Sequence, residues 1–189
     1  MRIWLIRHGL TALGEEKRYQ GALDTPLSEK GRAALRTADF APARVYVSPA
    51  KRAVETAEIL FPSSKLVEVP GLWEMNFGAF EGRGWREMER DPAYRAWVEG
   101  GCEGRCPGGE DRREFTARVC GAFGEILDKE RDSTEVVLTA HGGTQMALLD
   151  RFGEPQQDYY KWQRPCGCGW LLHWEAGRLR VLREVDFLK

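Results

Sequence analysis

Two runs of β-branched and aromatic residues, far apart in the chain, stop in the same way. Ile3-Trp4-Leu5-Ile6 ends at Arg7-His8-Gly9, and Val136-Val137-Leu138-Thr139-Ala140 ends at His141-Gly142-Gly143. Short apolar runs closed by a titratable ring and glycine predict buried strands that deliver their last residues into loops. Val45-Tyr46-Val47 is a third run, stopping at Ser48-Pro49, and a shorter one covers 66–69. Between the runs the apolar period becomes helical. Ser28 is expected to cap a helix through Arg32, Leu35 and Ala38, and Ser48 with Pro49 to open another through Ala53, Thr56, Ala57 and Leu60. Phe115, Val119, Ala122, Phe123, Ile126 and Leu127 keep a 3.6-residue period within 110–131, and Met146, Leu149 and Phe152 suggest a further helix over 144–152. Runs at 170–174 and 179–182, joined through Glu175-Ala176-Gly177, read as a closing hairpin at a sheet edge.

Alternating strands and helices require crossover connections, hence an α/β fold around a mostly parallel sheet. In such sheets ligands bind at the carboxyl edge of the strands. His8 and His141 both project from that edge, and they are two of only three histidines in the chain. Arg52 falls in the first turn of the helix after the second strand, where backbone N–H groups already favour an anion. Glu74 stands between Trp73 and Met75 with Phe77 close behind, a setting that favours the neutral acid. Residues 79–109 form a charged, aromatic, glycine-rich insert holding Trp85, Tyr94 and Trp97. The third histidine, His173, is in mid-strand and is read as structural.

Composition narrows the classes. The 189 residues are 42% hydrophobic, enough for one sizeable core, so a single domain over 1–189 is expected. Lys and Arg number 28 against 29 Asp and Glu, for a formal charge of -1, so no global field calls for nucleic acid or an acidic membrane. No apolar stretch is long enough to span a bilayer, and a cytoplasmic protein is expected. Five cysteines without secretory context predict free thiols. Cys102 and Cys106, and Cys166 and Cys168, lack the usual zinc spacing, so no metal is expected.

Two histidines, two arginines and a glutamate thus meet at one edge. Arg7 and Arg52 are permanently charged forks suited to tetrahedral oxyanions. Neither a GxSxG elbow nor a GxxxxGK[ST] loop is present, which disfavours acyl hydrolases and P-loop nucleotide sites. What remains is phosphoryl transfer to an imidazole, with the arginines and the second histidine bearing the oxygens' charge and a carboxylic acid protonating the departing oxygen. A non-catalytic phosphate-binding module is the alternative from another class.

Arg7-His8-Gly9 with Thr11, Arg18-Tyr19-Gln20-Gly21, Pro26-Leu27-Ser28, Ser48-Pro49 with Arg52, Leu72 with Glu74, Phe77-Gly78, Pro107-Gly108-Gly109-Glu110 and His141-Gly142 together resemble the histidine phosphatase (phosphoglycerate mutase-like) superfamily. The resemblance covers most of the chain. It implies a three-layer α/β/α sandwich, helices on both faces of the sheet. It also implies a metal-independent phosphomonoesterase needing no cofactor, with His8 as the phosphorylated nucleophile, Arg7, Arg52 and His141 as the phosphate pocket, and Glu74 as proton donor. Gly9, Thr11, Arg18, Gln20, Gly21 and Gly142 are the expected substrate contacts. One position departs: family members often carry asparagine where Gly14 stands.

The compact pattern is most similar to bacterial α-ribazole-5'-phosphate phosphatases of cobalamin assembly. A phosphoglycerate mutase, or a phosphatase of another small phosphometabolite such as a sugar phosphate or phosphoserine, is the alternative. The expected partner is a small phosphorylated metabolite, without nucleic acid or membrane, and a homodimer is left open. The leaving group is expected to be read by Arg18, Gln20, the Trp85–Trp97 insert, Trp162 and Arg164.

Overall fold

The computed structural model describes residues 1–189. The run at the amino terminus forms β1 (Arg2–Arg7), and the helical turn α1 (Ala12–Glu15) and helix α2 (Glu29–Ala34) lead to β2 (Arg44–Val47). Helix α3 (Lys51–Leu60) and β3 (Lys65–Glu68) follow, then the insert with α4 (Pro92–Glu99). The long helix α5 (Arg112–Lys129) feeds β4 (Glu135–Ala140), and α6 (Gly142–Phe152) follows at once. The two-residue β5 (Gly153–Glu154) precedes the hairpin β6 (Cys168–Glu175) and β7 (Arg178–Asp186).

The seven strands lie in the order β3-β2-β4-β1-β6-β7-β5. β1, β2, β3 and β4 are mutually parallel, whereas β6 runs antiparallel to both β1 and β7. The hairpin therefore adds to the parallel unit beside β1, with β5 pairing outside β7. β1 pairs with β4 from Arg2↔Glu135 to Arg7↔Ala140, a register that brings the two His-Gly endings side by side.

Strand alternation sorts the core into two layers. Ile3, Leu5, Tyr46, Val136 and Leu138 face one side, packed with Phe115, Val119 and Phe123 of α5 and Leu148 of α6. Trp4, Ile6, Val45, Val47 and Val137 face the other, with Ala57 and Leu60 of α3 and Leu35. Burial on both faces is why these strands read as unbroken apolar runs.

Boundaries depart from the periodic reading where tertiary bonds compete. α2 is capped by Ser28 as expected, but it ends at Ala34 instead of continuing to Ala38, because Leu35 turns extended, is buried and bridges Leu188. Ser48 does not cap α3: the cap position is Ala50, without a side-chain bond, and the Ser48 hydroxyl is engaged elsewhere. α6 starts at Gly142, two residues before the apolar period becomes visible. Asp111 and Glu114 close a capping box at the start of α5. No helix is long and apolar enough to cross a membrane.

Candidate active site

At the carboxyl edge of β1 and β4 a cavity of about 290 Å³ is lined by Arg7, His8, Arg18, Gln20, Gly21, Arg52 and Glu74, among others. Adjacency of the strands dictates the centre. His8 and His141 meet edge to face, ring centroids 5.3 Å apart. Both are buried.

Each imidazole is oriented by one bond. His8 Nδ1 lies 2.7 Å from the carbonyl oxygen of its neighbour Gly9. Since a carbonyl only accepts, Nδ1 carries the proton and Nε2 keeps its lone pair. The Gly9 peptide is itself fixed, its N–H donating to Thr56 Oγ1, which donates to the Arg52 carbonyl. His141 Nε2 lies 2.7 Å from Ser48 Oγ, and its Nδ1 has no protein partner. Burial, then the Arg52 and Arg7 guanidiniums, hold His8 well below the ordinary histidine pKa. Burial and Arg52 do the same to His141. Both rings are therefore neutral at pH 7.

The cations are held by backbone. Arg52 is fully buried, its NH1 donating to the Leu23 carbonyl at 2.7 Å and its NH2 to the Gly21 carbonyl at 2.8 Å. Gly21 adopts φ +53°, a conformation that suits glycine, and this turn presents the accepting carbonyl. Arg7 donates through NH1 to the Arg164 carbonyl at 2.8 Å. The Nε groups of Arg7 and Arg52 and Nδ1 of His141 are buried and unpartnered. Buried polar atoms without partners are costly, and the free Nε donors of Arg7 and Arg52 suit the site to a tetrahedral oxyanion.

Glu74 faces this group from the loop after a 3-10 turn at Pro70–Leu72. Its carboxylate accepts from Met75 N and from Gly143 N at the start of α6. Gly143 admits that approach, since a Cβ there would stand 2.1 Å from Glu74 Oε1. Arg118 secures the loop, donating to the carbonyls of Gly71, Trp73 and Glu74 while paired with Glu110. Gly143 and Arg118 escaped the sequence reading. Gly143 was visible only as part of a glycine pair, and Arg118 only as one more polar position on an amphipathic helix.

The remaining expected contacts divide. Gln20 lines the cavity, its Oε1 accepting from Thr11 and Thr25. Gly9, Thr11 and Gly142 stand behind the wall. Thr11 is fully buried and caps α1 by accepting from Gly14 N. Arg18 stands at the rim, but its guanidinium is taken by Glu16, Glu87 and the Gly82 carbonyl.

The outer wall differs more from expectation. Trp97 lines it, whereas Trp85 faces solvent at 49% exposure and does not reach the cavity. Trp162 is a core residue donating no bond, and Arg164 pairs with Glu184, so Gln163 between them is the residue that reaches the cavity. Tyr159 and Tyr160 complete the wall with Arg112, whose guanidinium lies 4.3 Å from the Tyr159 ring and donates to Tyr160 Oη, Gly101 O and Glu103. Cys102 also lines the cavity.

The family model for the histidine phosphatase superfamily (branch 1) matches residues 3–186. The adenosylcobalamin/alpha-ribazole phosphatase of Salmonella typhimurium is 33% identical over 162 residues, covering 80% of this chain and 79% of that protein. A protein of Cronobacter sakazakii named "Probable phosphoglycerate mutase GpmB" is 34% identical over 151 residues, covering 75% of this chain and 70% of its own. The crystal structure of the alpha-ribazole phosphatase from Shigella flexneri superposes with a TM-score of 0.80 at 25% identity, covering 98% of this chain and 96% of that one.

Proposed function

Since the chain belongs to the histidine phosphatase superfamily, branch 1, we propose that this phosphatase hydrolyses α-ribazole 5'-phosphate, a phosphomonoester whose leaving group carries a flat, uncharged benzimidazole. His8 is the nucleophile in this reading. Its Nε2 lone pair attacks phosphorus in line, the N–P bond forms as the ester P–O bond breaks, and Glu74 delivers a proton to the departing oxygen. Arg7, Arg52 and His141 bear the charge of the equatorial oxygens. A water then attacks the phosphohistidine, giving its proton to the Glu74 carboxylate, and phosphate leaves as His8 is restored. Two steps replace one very slow hydrolysis.

The substrate reading rests on the state of the outer wall. Tyr19, Phe77 and Tyr159 line it, backed by the buried Trp97 and Phe115, and the half-buried rings are ones on which a flat base can stack. The further guanidiniums there, Arg18 and Arg112, are both bonded to carboxylates and carbonyls of the protein. A phosphoglycerate, a phosphoserine or a second phosphate would present an anion to a wall whose cations are already engaged. The similarity to the protein named as a mutase supports the competing reading, a small phosphorylated acid.

Phosphate release separates these readings. A panel of α-ribazole 5'-phosphate, 3-phosphoglycerate, phosphoserine and fructose 2,6-bisphosphate is assayed in EDTA, with His8→Ala as control. A kcat/KM preference for the ribazole ester of about 100-fold, or about 2.7 kcal/mol in transition-state discrimination, is the expected result. A preference for 3-phosphoglycerate or phosphoserine would refute the substrate, and wild-type turnover by His8→Ala would refute the nucleophile.

A further inference from the structure

The two imidazoles at the centre are chemically alike, buried alike and 5.3 Å apart. Only one is used as a nucleophile in the proposed reaction. The bonds behind the rings supply a reason.

His8 donates from Nδ1 to the Gly9 carbonyl, which leaves Nε2 as a bare lone pair. At His141 the pairing is reversed. Its Nε2 is 2.7 Å from Ser48 Oγ, and both residues are fully buried. The Ser48 oxygen already sits 3.4 Å from the Ala50 N–H, from which it accepts. The hydroxyl hydrogen then has a single acceptor at hand, His141 Nε2, and a neutral ring accepting there carries its own hydrogen on Nδ1. The alternative tautomer would place N–H against an oxygen that also accepts from Ala50 and would strand the hydroxyl hydrogen in a buried site.

We propose that Ser48 is a positioning residue that locks His141 in the neutral Nδ1–H tautomer, so that the second imidazole offers a hydrogen-bond donor to the phosphoryl group and has no free lone pair with which to compete for phosphorus. The pair then works in opposite tautomers, His8 giving electrons from Nε2 and His141 giving a hydrogen bond from Nδ1. This also explains why a serine that opens like a helix cap does no capping. Its hydroxyl is committed to the ring across the sheet edge, and α3 begins without a side-chain cap. The inference rests on the phosphatase reading for its catalytic meaning, but the tautomer belongs to the resting protein and is measured without substrate.

The test is nitrogen-15 NMR of the uniformly labelled protein at neutral pH, recording two-bond couplings from the imidazole carbon-bound protons, with His141→Gln for assignment. The expected spectrum has the His141 proton on Nδ1. A proton on Nε2 overturns the proposal directly, whatever any variant does. Ser48→Ala is then compared for the same signal and for inhibition by orthovanadate, a phosphate analogue. The expected result is loss of the single Nδ1–H tautomer together with a fall in vanadate affinity of about a hundredfold or more, the scale of one lost oxyanion donor. An Ala variant that keeps the Nδ1–H tautomer and binds vanadate as tightly as wild type would overturn the role of Ser48.

Discussion

Replacing Arg52 by lysine separates the two things a buried cation supplies, charge and geometry. Lysine keeps the charge. By Coulomb's law at an effective dielectric of about 20, moving a unit charge from ~4 to ~5 Å from an anion costs under about 1 kcal/mol, or roughly a fivefold loss. The geometry argues for far more. In the structure the guanidinium holds the Leu23 and Gly21 carbonyls through NH1 and NH2, and a third donor, Nε, is unpartnered. A single ammonium cannot occupy the places of that planar fork. If it stays with the carbonyls, the phosphoryl group loses the donor that Nε supplies, a penalty of about 2.7–4 kcal/mol, or 10²–10³ in rate. If it turns to the phosphoryl group, at least one buried carbonyl loses its donor, at about 1–3 kcal/mol of stability. Arg52→Lys is therefore expected to lose at least about 100-fold in kcat/KM on 4-nitrophenyl phosphate, with a lowered urea midpoint and weaker orthovanadate inhibition. A variant within about fivefold of wild type and equally stable would show that charge alone matters here, and would refute the geometric account of the pocket.

Glu74→Gln is nearly isosteric and can retain an acceptor for Met75 N or Gly143 N. It is expected to lower kcat/KM for alkyl phosphates by about 10²–10⁴ and to spare 4-nitrophenyl phosphate, whose leaving oxygen needs little protonation; equal losses on both would remove the proton-donor role. The buried histidines also set a pH dependence of folding. His8 and His141 have folded pKa values well below the unfolded value near 6.5, so the unfolded chain binds more protons as pH falls, and their contribution to stability is complete above about pH 6.5 and lost below it. The urea midpoint is expected to fall between about pH 7 and pH 5.5, and the fall should shrink in His8→Gln; a midpoint that is flat or rises on acidification would contradict the neutral burial of the two rings.

Much of this protein could be read from local pattern. The unbroken runs at Ile3 and Val136 announced strands buried on both faces, and the period of Phe115, Val119 and Phe123 announced the longest helix, because side-chain direction is set by local backbone geometry. The Arg7-His8-Gly9 and His141-Gly142 endings announced chemistry, since a sheet's carboxyl edge is where a strand hands its last side chains to a ligand. Arg52 and Glu74 followed from their placement relative to helix and aromatics. What the local pattern could not carry were the bonds between segments distant in sequence. Ser48 looks like a helix cap in its own neighbourhood, and only the pairing of β2 with β4 puts it beside His141. Leu35 has a helical spacing, and only the bridge to Leu188 pulls it out of α2. Arg18 reads as a substrate contact until the insert folds back and Glu87 claims it. The outer wall, where Arg112 meets Tyr159 and Tyr160, joins residues far apart in the chain. Hydrogen-bond donors and acceptors bind whichever partner folding brings within reach, so the sequence by itself determined the strands, the helices and the reactive groups, and the tertiary structure alone decided which of those groups are free to act.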